Sequence, residues 1–424
     1  MKNPRILLYS HDTFGLGHLR RTLAIAHQLA RVLPEASQLL VTGSMVAGAF
    51  ALPPKLDLIK LPALSKHSDG RYKARALRLS LSQIIAWRKQ MILQAVQLFA
   101  PDLVLVDKTP AGVEGELVPA LRHLKTWSPQ TRLVLGMRDI EDDPFTTRAE
   151  WANNDTHTLH ENVYDQILLY GQRAIFDPVH EYGMSARAAA KLVECGYIAQ
   201  PNVTRPRAVV RRELDATARP LIVVTAGGGG DGFALCKTYL DACRIHPTLN
   251  AAQTLVVTGP LMPPRQRAEL RALESARVTL IEFTPDLVSY LAAADLVVSM
   301  AGYNTVCETM ALGERVLLVP RTRPRAEQRL RAERLAARGM AHLLLPDSLS
   351  PENLGAAVEH ALAAPAPHVT LDLNGVSRVS AALADLLSVE RPPIGTRNGN
   401  RRVTERPPIG MRNGNGRVKE RIAA

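Results

Sequence analysis

Short, uninterrupted apolar runs alternate with longer amphipathic stretches along most of the chain. The first run, RILLYS at 5–10, is followed by a glycine turn and then by apolar residues at helical spacing, from Leu19 through Leu23 to Ala26. Five further runs have the same character: QLLVTG (38–43), LDLIKLP (56–62), PDLVLVD (101–107), TRLVLGMRD (131–139) and YDQILLYG (164–171). Because these strands are apolar throughout rather than alternating, we expect a parallel sheet with helices on both faces.

The same series starts again at RPLIVVTAGGGGDG (219–232). The strands predicted after it are AQTLVVTGP (252–260), VTLIEF (278–283), DLVVSMAG (295–302) and RVLLVP (315–320), each separated by a helical segment. We therefore predict an α/β protein with two doubly wound Rossmann-like domains, at 1–203 and 204–388, that face a cleft. Ligands bind such sheets at the carboxyl ends of the strands, so the cleft is the expected site.

The last segment, 389–424, is different in kind. It holds a tandem repeat of 15 residues, ERPPIGTRNGNRRVT and ERPPIGMRNGNGRVK, and its nine Lys or Arg against three Glu supply half of the net charge of +12. We predict a disordered basic tail, either inert or weakly attracted to anionic lipid. The rest of the chain mixes both signs of charge and lacks an aromatic platform, so no specific nucleic-acid partner is expected.

The composition favours a globular cytoplasmic protein. Hydrophobic residues make up 46% of the chain, yet no window approaches the ~18 apolar residues of a membrane span, and the N-terminal apolar run is short for a signal peptide. The four cysteines lack metal-like spacing and are predicted to be buried free thiols. A helix is predicted at roughly 75–99, and the basic residues Arg71, Lys73, Arg75 and Arg78 are interpreted as its solvated face, or else as a contact for an anionic membrane.

The first glycine turn, YSHDTFGLGHLRR at 9–21, presents Gly15, Gly17 and His18 at the start of a helix. It lacks the third glycine of the dinucleotide fingerprint, so NAD binding is not predicted. The histidine is suited to general-base catalysis near neutral pH, and the plainer alternative is that it caps the helix or bonds a neighbouring carbonyl.

Two more loops stand at predicted strand ends in the second domain. TAGGGGDG (225–232) suggests a backbone that wraps closely around a ligand, with phosphate favoured over a plain linker. In SMAGYNTVCETMALGERVLLVP (299–320), Gly302 precedes a helix whose N-terminus can receive a diphosphate, and Glu308 is suited to binding the hydroxyls of a ribose. Considered alone, a glutamate at this position is predicted to be a surface residue.

These motifs resemble glycosyltransferases of the GT-B fold, and family 28 in particular. The resemblance lies in EFTPDLVSYLAAADLVVSMAGYNTVCETMALGERVLLVPRTRPRAEQRLRAERL, which begins near 283, and in the first turn FGLGHLRRTLAIAHQLA. It implies an inverting transfer of a hexosyl group from a nucleotide-diphosphate sugar, with UDP expected, to an acceptor hydroxyl. It implies neither a cofactor nor a metal. The implied acceptor is lipid-linked or a small molecule, and lipid would bring the protein to the inner face of the membrane.

The resemblance also implies roles for individual residues. His18 is the implied base and Asp107 orients it, while Gly15, Gly17 and Arg20 form the acceptor-side loop. The implied donor-binding residues are Gly227, Gly228, Gly229 and Gly230 around the diphosphate, Phe283 and Thr284 at the base, Gly302, Asn304 and Thr305 at the helix start, Glu308 at the ribose, and Glu327 with Gln328 at the sugar. The family has a Gln-Gln pair where this chain has Glu327 and Gln328, which leaves the sugar open.

Two other interpretations stay open. A nucleotide-sugar 2-epimerase uses a similar two-domain fold, and a non-catalytic binding protein could act through the basic tail. The acidic cluster RDIEDDP at 138–144 invites a metal, but Asp142 and Asp143 before Pro144 are predicted to cap a helix instead.

Overall fold

The computed structural model describes residues 3–11, 17–66, 71–199 and 204–389. Gly15 and the tandem repeat therefore lie outside the described residues. The predicted α/β architecture is confirmed, with two parallel sheets, each covered by helices.

The first sheet contains seven parallel strands in the order β3-β2-β1-β6-β7-β8-β9. The strands of this domain are β1 (Arg5–Ser10), β2 (Ser37–Thr42), β3 (Leu56–Lys60), β4 (Leu64–Lys66), β5 (Tyr72–Ala74), β6 (Leu103–Asp107), β7 (Arg132–Arg138), β8 (Gln166–Tyr170) and β9 (Leu192–Glu194), of which β4 and β5 form a separate antiparallel hairpin. Its helices are α1 (Gly17–Val32), α2 (Leu81–Phe99), α3 (Val118–Trp127), α4 (Pro144–Asn153), α5 (Thr156–Asn162), α6 (Pro178–Tyr182) and α7 (Ala186–Ala189). The central strands are buried on both faces, as their continuous apolar sequences predict.

The second sheet contains six parallel strands in the order β12-β11-β10-β13-β14-β15. They are β10 (Leu221–Thr225), β11 (Gln253–Val257), β12 (Val278–Ile281), β13 (Leu296–Ser299), β14 (Val316–Leu318) and β15 (His342–Leu343). The helices are α8 (Arg207–Glu213), α9 (Phe233–Ile245), α10 (Pro247–Ala251), α11 (Pro264–Arg271), α12 (Leu287–Ala293), α13 (Tyr303–Leu312), α14 (Glu327–Ala336), α15 (Pro351–Ala363) and α16 (Gly375–Ser388). The short strands β4, β5, β9 and β15 were not predicted, because two or three residues carry too little periodicity.

The two sheets reverse their strand order at equivalent places. In the first sheet β1 lies between β2 and β6, and in the second sheet β10 lies between β11 and β13. Chain connections leave such a switch point in opposite directions, which opens a crevice at the carboxyl ends of the strands. The start of α1 and the end of β6 thus face the loops after β10 and β13.

The last helix does not stay with the second domain. Helix α16 packs against α1, and Asn374 just before it forms a bridge with Ile198 at the end of the first domain. Gly375 permits this approach, since a Cβ there would lie 2.5 Å from the Tyr197 carbonyl oxygen. The domain boundaries remain predictions, but α16 is placed on the first domain rather than the second.

The predicted helix at 75–99 begins later, at Leu81. Ser80 caps it through the Gln83 backbone N–H, and the Gln83 side chain accepts from the Ser80 N–H, which completes a capping box. Of the basic residues, Arg71 therefore lies just before β5, Lys73 lies within it, and Arg75 and Arg78 lie in the segment after it, not on a helix face. All four cysteines are free and buried, as predicted.

An ion pair is fully buried beneath the first sheet. Arg88 on α2 donates to both carboxylate oxygens of Glu116, Tyr9 donates its hydroxyl to the same carboxylate, and neither charged side chain is exposed. A further Arg88 nitrogen donates to the Pro62 carbonyl oxygen at 2.7 Å. Both charges are thus satisfied by close partners, which is the condition for burying them. Among the described residues, no helix is long and apolar enough to cross a bilayer.

We expect Glu116→Ala to destabilise the first domain by about 3–5 kcal/mol, because Arg88 is left as an uncompensated buried charge. Thermal unfolding of the variant measures this loss. The control is Glu35→Ala, which breaks the exposed Lys55–Glu35 pair and should change stability by less than about 1 kcal/mol. Similar losses in the two variants would contradict the importance of the buried pair.

Candidate functional site

An open cleft with a cavity volume of about 200 Å³ lies between the two domains at the carboxyl ends of both sheets. The first domain lines it with Gly17, His18, Arg20, Arg21, Phe50 and Arg138, and among the residues of the second domain that line it are Gly227, Gly228, Phe283, Thr284, Gly302, Asn304 and Thr305. The cleft thus gathers the three glycine-bearing loops that the sequence analysis selected.

His18 lies in the first turn of α1, and its imidazole meets Asp107 at the end of β6. The His18 Nδ1 and Asp107 Oδ2 atoms are 2.5 Å apart, so the predicted pair is brought together. Arg21, one turn further along α1, donates to both oxygens of Asp107 at 2.9 and 2.7 Å. A single buried carboxylate therefore holds a guanidinium and an imidazole at once.

Burial and this charge arrangement set the protonation of the site. Burial lowers the pKa of His18 to about 4; Asp107 opposes the shift, and the Arg21 charge adds to it. Burial acts to raise the pKa of Asp107, but Arg21 and His18 hold it well below its usual range. With Asp107 a permanent anion, the neutral imidazole donates its Nδ1–H to it. Nε2 is left as the basic atom.

His11 stacks on the catalytic candidate. The two imidazole centroids are 4.2 Å apart, and the His11 Nδ1 atom lies 3.4 Å from the Thr109 hydroxyl. Burial, followed by the neighbouring His18 and Lys108, lowers the pKa of His11 well below its ordinary value. His11 is therefore a neutral neighbour of His18 rather than a second acid.

The N-terminus of α13 faces the cleft from the second domain. Gly302 precedes the helix with extended backbone, and helix formation begins at Tyr303, as predicted. Gly302 has no side chain with which to cap this end, and the first backbone N–H groups of the helix carry the positive end of its dipole. Asn304 reaches across and donates to the Gly17 carbonyl oxygen at 3.2 Å. This end of α13 is a ready anion-binding position.

The residues of the four-glycine loop have two different roles, lining the cleft and packing against a neighbouring strand. Gly227 and Gly228 line the cleft, whereas Gly229 packs against the end of β11. Gly229 has a φ of +89°, and a Cβ there would lie 2.2 Å from the Thr258 carbonyl oxygen, so a side chain cannot fit. Gly230 is exposed and does not line the cleft described here.

Glu308 lies on α13 as predicted, but Arg20 covers it. The Arg20 Nη2 and Glu308 Oε1 atoms are 2.5 Å apart, and the Glu308 side chain is only 3% exposed. Its other oxygen, Oε2, is buried with no hydrogen-bond partner among the described residues. Burial raises the pKa of Glu308, and the Arg20 charge opposes that shift. A ribose can therefore reach this carboxylate only if Arg20 moves aside.

Glu327 and Gln328 begin α14 but do not line the cleft described above. Arg321 donates to Glu327 Oε1 at 2.6 Å through its guanidinium and to Gln328 Oε1 at 3.2 Å through its backbone. The same guanidinium pairs with Asp231 at 2.7 Å. Both residues predicted to bind the sugar are thus hydrogen-bonded to Arg321 in the preceding loop.

The acidic cluster at 138–144 serves protein contacts. Asp143 accepts from the Thr146 N–H and caps α4, as predicted. Asp142 instead accepts from the Ala326 N–H at 2.6 Å across the cleft, and Arg325 pairs with it at 3.2 Å. The described residues contain no group of three or more His, Cys, Asp or Glu arranged to hold a metal.

Three residues of the site were missed from the sequence: His11, Arg21 and Arg138. Arg21 follows His18 by three positions on one helix, which places both on the same face and was a usable signal. Arg138 ends β7, and its position at the carboxyl end of a strand was a second usable signal. His11 had no distinguishing pattern.

The second domain matches a known family. Residues 221–370 match the glycosyltransferase family 28 C-terminal domain. The chain is 24% identical over 193 residues to the uncharacterized glycosyltransferase MK0977 of Methanopyrus kandleri, covering 44% of this chain and 52% of that protein. It is 28% identical over 260 residues to the UDP-N-acetylglucosamine--N-acetylmuramyl-(pentapeptide) pyrophosphoryl-undecaprenol N-acetylglucosamine transferase of Vibrio cholerae, covering 59% of this chain and 69% of that enzyme. The chain thus spans about half to two thirds of these relatives, and the predicted resemblance to family 28 is confirmed.

Solved structures share the fold over nearly the whole chain. MurG of Acinetobacter baumannii superposes with a TM-score of 0.55 at 15% identity, covering 90% of this chain and 99% of that one. A putative UDP-N-acetylglucosamine 2-epimerase of Listeria monocytogenes superposes with a TM-score of 0.60 at 16% identity, covering 92% and 97%. The predicted GT-B architecture is confirmed.

We expect His18 to titrate with a midpoint near pH 4, below the ordinary 6.5, in an NMR titration with His18→Gln to assign the signal. The folded state resists the proton that the unfolded chain accepts, so His18 lowers stability as pH falls from about 6.5 to about 4. Asp107→Asn should lower the midpoint further, because it removes the favourable negative charge. A midpoint at or above 6.5 in the unsubstituted protein would contradict this account.

Proposed function

We propose that the protein is an inverting glycosyltransferase that moves a hexosyl group from a nucleotide-diphosphate sugar to an acceptor hydroxyl. One observation carries the proposal: a family 28 C-terminal domain faces the His18–Asp107 pair across a single cleft. The donor is expected to be a UDP-sugar. The residues around the cleft fit a nucleotide-diphosphate sugar, and the choice of uracil as its nucleobase rests on the family likeness.

The donor half of the cleft supports a nucleoside diphosphate. The diphosphate is assigned to the N-terminus of α13 and to Gly227 and Gly228, where backbone N–H groups and the dipole favour an anion. Phe283 and Thr284 lie on the same wall and are assigned to the base. The ribose is assigned to Glu308, which requires Arg20 to leave Oε1 when the nucleotide enters. Glu327 and Gln328 remain the proposed sugar contacts and require a similar release from Arg321.

The acceptor half supports base catalysis by His18. Its Nε2 accepts the proton of the acceptor hydroxyl while that oxygen attacks the anomeric carbon. The bond from that carbon to the diphosphate breaks, and its electron pair leaves with the nucleoside diphosphate. Asp107 fixes the imidazole and stabilises the imidazolium formed, for a contribution of roughly 10²–10⁴-fold. A pKa of about 4 keeps His18 unprotonated at neutral pH, though it makes the base a weak one.

A 2-epimerase is the second candidate, since such an enzyme shares the fold. A structural likeness at this identity concerns the fold alone. The family match of the donor half favours the transferase. An epimerase converts its nucleotide sugar without an acceptor, whereas the proposed transferase needs one.

We expect calorimetry to detect binding of one nucleoside diphosphate, with UDP the first to test in a panel with ADP, GDP and dTDP. Glu308→Gln should weaken that binding about tenfold or more, because hydrogen bonds to a charged group contribute roughly 1.5–3 kcal/mol. The matched control is Glu333→Gln on the exposed side of α14, which should bind as the unsubstituted protein does. Binding to no nucleoside diphosphate would overturn the proposed function.

We also propose that the acceptor is lipid-linked and that the protein contacts an anionic membrane through the segment between β5 and α2. Leu77, Leu79 and Trp87 are exposed large apolar side chains of this segment and of α2. Arg75 and Arg78 beside them are exposed as well. Apolar side chains flanked by cations favour an anionic bilayer surface.

We expect the protein to sediment with vesicles of anionic phosphatidylglycerol and to remain in solution with neutral phosphatidylcholine vesicles. Arg75→Glu with Arg78→Glu should abolish sedimentation, because the charges then repel the anionic surface. Truncation before 390 is the control for the basic tail. If truncation alone abolishes sedimentation and the arginine substitutions do not, the membrane contact lies in the tail and the proposed contact is wrong.

A further inference from the structure

Arg138 is an arginine of the cleft whose side chain makes no hydrogen bond or ion pair with any described residue. It ends β7 and lines the cleft together with His18 and Gly17. Its Nε atom is buried and has no hydrogen-bond partner in the described part of the chain. A buried unpaired donor on a permanently charged group is unfavourable, so its retention calls for a partner that the described residues do not supply.

The carboxylates near Arg138 are already committed to other groups. Asp139 accepts from the Tyr197 hydroxyl at 2.5 Å and from the Ile140 N–H at 2.7 Å. Glu141 pairs with Lys108 at 3.2 Å. Asp107 is shared by Arg21 and His18, as described above.

The positive charge of Arg138 affects several titratable groups around His18. It contributes to lowering the pKa values of His11, His18 and Lys108, each of which is lowered chiefly by burial. Three different groups around His18 thus experience the positive charge of Arg138. The same charge acts to lower the pKa values of the Asp139 and Glu141 carboxyls. An anion bound beside Arg138 would be attracted by it.

The opposite wall of the same cleft is the proposed diphosphate position. Gly227, Gly228 and the uncapped start of α13 line it. An anion in this cavity therefore lies between backbone N–H groups of the second domain and a guanidinium of the first. A guanidinium fits two oxygens of one phosphate at once, and such charge-assisted pairs are stronger than neutral hydrogen bonds.

We propose that Arg138 binds the β-phosphate of the donor from the first domain and stabilises the nucleoside diphosphate as it leaves. The inference rests on the proposed function and names a residue of that same site. When the bond from the anomeric carbon to the β-phosphate oxygen breaks, the electron pair stays on that oxygen and the diphosphate gains one negative charge. Arg138 and the α13 N-terminus face this charge from opposite sides, which is the arrangement that favours a transition state over a ground state.

The test compares UDP with UMP, which lacks the β-phosphate, by calorimetry on the full chain. In Arg138→Gln we expect the affinity for UDP to fall about tenfold or more, which is the scale of a lost charge-assisted pair, while the affinity for UMP stays unchanged. Arg138→Lys should retain part of the UDP affinity, because lysine keeps the positive charge but lacks the planar guanidinium that can bind two phosphate oxygens at once. Arg244→Gln, which removes an exposed arginine on α9, is the matched control and should leave both affinities unchanged.

The outcomes separate this inference from the function beneath it. If the unsubstituted protein binds UDP and Arg138→Gln binds UDP equally well, the inference is overturned and the proposed function stands. Equal losses for UDP and UMP place Arg138 away from the β-phosphate and also overturn it. If the unsubstituted protein binds neither UDP nor another nucleoside diphosphate of the panel, both fail. Thermal unfolding of each variant confirms that the fold is intact.

Discussion

The arrangement of the site depends on one constraint: parallel strands end at a common edge of their sheet. Because the strands within each sheet are parallel, the start of α1, the ends of β6 and β7 and the loops after β10 and β13 all lie at one crevice. His18, Asp107 and Arg138 come from three of these positions in the first domain. Gly227 and Gly302 come from two in the second.

Buried charge is handled in two ways along this cleft. Asp107 is satisfied twice, by Arg21 and His18, and this fixes both the anion and the tautomer of the imidazole. Arg138 is left without a partner among the described residues. An unpaired cation and a helix N-terminus that line the same cleft favour an anionic ligand, whereas the paired groups give the site rigidity.

Ion pairs across the cleft connect ligand binding to the contact between domains. Arg20 on the first domain holds Glu308 on the second, and Arg325 on the second holds Asp142 on the first. Helix α16 adds a third connection, because it leaves the second domain and packs on α1. A nucleotide that uses Glu308 must replace the Arg20 contact, so binding and the domain interface are energetically linked.

The sequence by itself determined the architecture and much of the site. Continuous apolar runs required a parallel sheet, glycine turns after them marked the strand ends, and spacing placed Glu308 inside α13. Only the tertiary structure decided which of these groups are free. Four features depend on contacts between residues far apart in the chain. Arg20 covers Glu308, Arg21 shares Asp107, α16 returns to the first domain, and Arg138 finds no partner in the described part of the chain. Periodicity reports which side of an element is buried, but a salt bridge across a cleft leaves no periodic trace.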